Sequence, residues 1–172
     1  IKGWSGGNTG DYVGPFCWPV FMQLWSCMMY FYIPCTQTFL VMDFNNRGSI
    51  LLWFTIVDKC VGVLGRFTAS RSRSYIYASA YTCCIIQTIA FVSLFLLGWP
   101  LSLSAWGLIG ASAIHSVLYS YTNTLLYLDN VRTRKDKEAA KVMSEWLGIA
   151  QQAGASVGIG IGFFQTVLGM FG

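Results

Sequence analysis

Asp58 and Lys59 stand side by side inside an apolar run, ILLWFTIVDKCVGVLG, Ile50 to Gly65. Each charge at the centre of a bilayer costs about 2.5–3.5 kcal/mol on the insertion scale. Such a pair must meet other helices or line a wet cavity. Two roles are open to it: ion coupling, in which a proton neutralises Asp58 on burial, or a purely structural pair. His115 is the single histidine and lies in another apolar run. It admits a proton-relay role or a hydrogen-bonded packing role, and alone it makes no multi-histidine metal site.

A third signal is YIPCTQTF, Tyr32 to Phe39. Pro34 removes a backbone donor and frees a carbonyl one turn back, near Tyr30. Thr36 and Gln37 follow the expected kink with polar groups. Interrupted helices with nearby polar groups point to transporter sites; a plain kink is the alternative. The fourth signal is WLGIAQQAGASVGIGIGFF, Trp146 to Phe164, where Gly154, Gly158 and Gly162 recur every four residues and Ala150 extends the row. That spacing lets another helix approach closely, either for packing alone or for sliding. Gln151 and Gln152 point about 100° apart on a helix, so at least one should face the protein interior, as inter-helix glue or as a solute contact.

No nucleophile–base pair, phosphate-binding loop or paired carboxylates accompany these residues, so an enzyme is not expected. The six cysteines include no CxxC pair. They read as free, apolar-packed thiols, with no disulfide framework, metal or cofactor.

The elements that must position these groups follow from composition. The 172 residues, enough for one domain, are 55% hydrophobic and 10% charged, against about 25% charged in soluble domains. Five apolar segments reach the roughly 20 residues that a span requires; they run about Phe16–Val41, Ser49–Phe67, Tyr75–Gly98, Leu101–Leu128 and Val142–Phe171. They are too long and too continuous for barrel strands, so the expected fold is an all-α polytopic membrane protein of five transmembrane helices. Residues 1–15, polar and glycine-rich, read as a flexible N-terminal segment ahead of the bundle at 16–172. The short connection at Trp99-Pro100 predicts an antiparallel hairpin. Because the sequence opens on Ile1, the chain is expected to be processed or part of something longer.

Charge sets the orientation. Lys2, Arg66, Arg71, Arg73, Arg132, Arg134, Lys135, Lys137 and Lys141 fall on one side, and Arg47 alone on the other. The positive-inside rule then places the N-terminus in the cytoplasm and the C-terminus outside or in a lumen. The basic runs lie between apolar stretches, so they read as topology signals and not as nucleic-acid contacts. RTRKDKEAAK, Arg132 to Lys141, is also expected to form a short surface helix.

These motifs resemble a known family. YIPCTQTF is similar to the proline-x-x-glutamine-serine/threonine-aromatic motif in the seventh helix of eukaryotic riboflavin transporters. Ser120-Tyr121 resembles a serine-tyrosine pair in their tenth helix, although Asn123 stands where the family tends to have lysine. WLGIAQQAGASVG resembles their last helix, at the spacing of Trp146, Gly148, Gln152 and Gly154. Asp58 and Gly65-Arg66 resemble, at a wider spacing, a motif of the related equilibrative nucleoside transporters. The resemblance covers roughly residues 16–171 and implies helices seven to eleven, one bundle of a major-facilitator-like carrier. It implies a flat, polar-edged heterocycle like riboflavin as cargo, with Thr36, Gln37, Tyr121 and Gln152 as its contacts. It also implies a plasma-membrane location and a six-helix half to complete the carrier. The alternative is a non-transporting structural subunit, held by other membrane subunits in an organelle membrane.

Overall fold

The computed structural model describes residues 9–42, 44–71, 76–97, 104–133 and 136–168. Five helices account for nearly all of them: α1 Thr9–Leu40, α2 Arg47–Arg71, α3 Ile76–Leu97, α4 Ala105–Thr133 and α5 Lys137–Val167. No strand occurs among the described residues. Each helix grows from one apolar segment and extends past it where nothing stops the backbone. Thus α1 takes in residues 9–15, and it continues without interruption through Pro19 and Pro34 to Leu40. The basic stretch does not form a separate surface helix. Arg132 and Thr133 end α4, and Asp136 caps α5 by accepting a hydrogen bond from the Glu138 amide at 3.0 Å. An N-terminal carboxylate of this kind satisfies a free amide and complements the helix dipole, so Lys137 to Lys141 become the first turns of α5.

Side-chain pairings fix the helix directions. Met22 and Ser26 of α1 meet Cys84 and Gln87 of α3 in the same order along the chain. Gly154 and Gly158 of α5 likewise meet Leu24 and Met28 of α1. Gln23 meets Asn123 while Tyr30 stacks on Tyr119, so α4 runs the opposite way. Asp58 meets Ser116 and Ser70 meets Arg132, so α2 runs with α4. The odd-numbered helices therefore run one way and the even-numbered helices the other. Arg71, Arg132, Lys137 and Lys141 gather at one end of the bundle and Arg47 at the other. Lys2, Arg73, Arg134, Lys135 and the Trp99-Pro100 connection lie outside the described residues.

Two glycine-lined crossings carry the most extensive contacts, α1 with α5 and α2 with α4. At Gly158 a side chain would strike the Met28 carbonyl oxygen, with Met28 C and Tyr32 N both 3.1 Å away. At Gly65 it would lie 2.6 Å from the Val117 carbonyl oxygen. Backbone meets backbone at both places, which only a missing Cβ permits. Gly154 and Gly162 make similar approaches to Cys27 and Cys35.

Buried polar groups and exposed large apolar side chains occur together. Gln23, Gln87 and Thr122 are completely buried, whereas Leu64 is 60% exposed, Phe163 67% and Trp106 72%. Water-exposed domains bury apolar groups and leave amides outside. Here an apolar core cluster around Met22, Leu125 and Leu147 lies toward the basic end, a second around Val41, Phe54 and Leu108 lies toward the other end, and buried polar groups such as Ser26, His115 and Ser116 lie between them. Among the described residues, α2 and α5 are long and apolar enough to cross a membrane by length and composition, and α3 holds a shorter apolar stretch, Ser79–Ala90.

Candidate functional site

The polar centre lies where α1, α2 and α4 cross, halfway along α2. Its anchor is Asp58. The Tyr30 hydroxyl donates to both carboxylate oxygens at 2.9 Å. Lys59 Nζ reaches Oδ2 at 2.9 Å, yet its side chain stays 74% exposed while that of Asp58 is 18% exposed. Ser116 Oγ donates to the Asp58 backbone carbonyl at 2.9 Å, which ties α4 to the same turn of α2.

Tyr30 is held flat by two aromatic neighbours on α4. Its ring stacks on Tyr119 with centroids 4.0 Å apart and lies nearly parallel to His115 at 6.2 Å. His115 is buried, and its Nε2 has no hydrogen-bond partner among the described residues.

These groups line a cleft of about 110 Å³ whose walls also include Gln37, Thr55 and Ser112, with Pro34 and Phe54 as apolar edges. That space admits several waters, but small-molecule pockets usually run about 300–1,000 Å³. The cleft alone is too small to enclose a solute of that size.

The polar residues singled out from the sequence are distributed unevenly around this centre. Asp58, Lys59, His115 and Gln37 line the cleft together. Thr36 is buried one position away, and its hydroxyl donates back to the Ile33 carbonyl at 3.1 Å. Tyr121 is half-buried against the apolar cluster at the basic end. Gln152 is exposed on the outer face of α5, whereas Gln151 turns inward and donates to the Tyr119 hydroxyl at 3.4 Å. Gly154, Gly158 and Gly162 all lie in the α1–α5 seam.

Several contributors went unnoticed in the sequence. Tyr30 carries no charge, and only the location of Asp58 gives it a role. Gln165 is buried and accepts a hydrogen bond from the Tyr32 hydroxyl. Gln87 accepts from Ser26 at 2.9 Å, and Gln23 donates to Asn123 at 2.7 Å. Each amide sits in an apolar segment, so the signal that marked Gln152 was available for them as well. No groups of three or more histidine, cysteine or acidic residues suited to a metal occur among the described residues. No protein-family model, curated protein or solved structure matches the chain.

Proposed function

We propose that the chain crosses a membrane five times and forms one bundle of a membrane carrier, with the Asp58–His115–Gln37 cleft as its wall of the solute path. The observation that carries the reading is the pairing of fully buried amides, Gln23 and Gln87, with exposed apolar residues such as Leu64 and Phe163. Alternating helix directions and basic residues gathered at one end fit five spans with the basic end in the cytoplasm. Lipid in place of water explains why α1, α3 and α4 also carry apolar outer faces. Carrier sites lie near the bilayer midplane where helices from two bundles meet, and the cleft lies halfway along α2.

The solute class, a flat polar-edged heterocycle such as riboflavin, rests on the motif resemblance. Gln37 and Asp58 offer its edge hydrogen-bonding groups, and a six-helix half would supply the opposite wall. A second reading, a structural membrane subunit, is favoured by Lys59, which closes onto Asp58 and satisfies the cleft from within.

Flavin fluorescence separates the two. The protein is purified from its native membrane with whatever accompanies it and titrated with riboflavin. Saturable quenching that is lost in Gln37→Ala and retained in Gln152→Ala supports the carrier. No quenching by protein that remains in a stable multi-subunit assembly supports the structural role.

A further inference from the structure

Lys59 sits at the midpoint of α2, twelve residues from Arg47 and twelve from Arg71. That is roughly 18 Å from either end of the helix, further than its four-carbon stem carries the ammonium toward an interface. Its side chain is nevertheless 74% exposed. A charge held out at the middle of a membrane-spanning helix faces protein or water, not acyl chains.

The rest of α2 shows which surface this is. At 100° per residue, three sectors follow one another around the helix. Phe54, Gly62, Gly65 and Ala69 mark the buried sector. Thr55, Lys59, Arg66 and Ser70 are all exposed and fall within about 60° of one another beside it. Trp53, Ile56, Cys60, Leu64 and Phe67, also exposed, occupy the next sector, centred about 100° beyond Lys59. Val63 lies on the border between the last two.

The polar edge joins features already described. Thr55 and Lys59 line the cleft, and at the basic end Arg132 donates to the Ser70 carbonyl at 3.2 Å. Eleven residues separate Lys59 from Ser70, a climb of about 16 Å, close to half the hydrocarbon thickness. Toward the opposite end the same line passes to Leu52, which is 60% exposed. The Thr55 and Ser70 hydroxyls donate back to the Leu51 and Phe67 carbonyls, so the two cations are what require water and the hydroxyls only border it.

We infer that the Thr55–Lys59–Arg66–Ser70 edge of α2 faces a water-filled path joining the cleft to the basic end, while the neighbouring Ile56–Cys60–Leu64–Phe67 sector faces lipid. The inference rests on the membrane reading proposed above and names the surface along which a polar solute approaches the cleft.

Thiol chemistry reads this edge position by position. A charged maleimide is added to the full chain in sealed native membranes, and peptide mass spectrometry follows each site, with native Cys60 as the lipid-facing reference. The reagent needs a thiolate, which water supports and an apolar surrounding suppresses. Thr55→Cys and Lys59→Cys should each react at least roughly tenfold faster than Cys60, and from the side that labels Ser70→Cys. Ile56→Cys should react no faster than Cys60. Thr55→Cys leaves the Asp58–Lys59 pair in place, so it remains decisive even where Lys59→Cys fails to fold. Edge positions as slow as Cys60 would mean that lipid or another protein covers them, and would overturn this inference while leaving the membrane reading intact. Entry only from the opposite side would overturn it as well. Labelling of Cys60 and Ile56→Cys as fast as the edge would put all of α2 in water and overturn both.

Discussion

Replacing Gly158 with alanine tests the α1–α5 seam against a control on the same helix. A Cβ at Gly158 meets only α1 backbone: the Met28 carbonyl oxygen, and Met28 C and Tyr32 N at 3.1 Å, whereas ordinary contact begins near 3.4 Å. No side chain can swing aside, so the helices must separate. A gap of about 0.5–1 Å forfeits a quarter to a half of each dispersion contact it opens, and overpacking of this kind costs about 1–3 kcal/mol. The same substitution at Gly160, where a Cβ has nothing within 4 Å, should be neutral or slightly stabilising, since alanine is favoured over glycine in helices by up to about 1 kcal/mol. We therefore expect Gly158→Ala to fall about 2 kcal/mol below wild type, roughly a thirtyfold shift in the folding equilibrium, with Gly160→Ala at or above it. Reversible unfolding in mixed micelles reads both. Equal stability of the two variants would refute the close approach, whatever their absolute values.

Two further outcomes follow from the same packing. Tyr32→Phe removes the hydroxyl bonded to Gln165 and leaves a buried amide oxygen without it; the cost should be about 1–3 kcal/mol, and the added change Gln165→Leu should recover most of it in the same unfolding assay. Cys60 is exposed at the middle of α2, which in a membrane means facing lipid. A charged maleimide should leave it unmodified in intact membranes and modify it after SDS, as read by peptide mass spectrometry; full labelling in intact membranes would place that face in water.

Much of the architecture is legible in the sequence because it depends on local composition. Five apolar blocks separated by polar breaks become five helices, and the four-residue recurrence of Gly154, Gly158 and Gly162 marks a close crossing without reference to the partner. What a sequence leaves open is the partner itself. Gln151 and Gln152 are equivalent as residues, but the angle at which α5 lies on α1 turns the first toward Tyr119 and the second outward. Asp58 stands out by its cost in an apolar run, yet its main partner, Tyr30, is 28 residues away on another helix. Ser26 and Gln87 meet across 61 positions, and Tyr32 and Gln165 across 133, distances at which no spacing rule operates. At Pro34, where a local rule marks a break or a kink, the helix runs on to Leu40.

The central claim proposed here is a bundle that crosses the membrane with its basic end on one side. Single cysteines placed at exposed positions, Asn46→Cys before α2, Ser70→Cys at its end and Lys137→Cys at the start of α5, test it in sealed vesicles with the native cysteines replaced. The account predicts that an impermeant maleimide reaches Asn46→Cys from one side and both Ser70→Cys and Lys137→Cys from the other. Labelling of all three from the same side would contradict it.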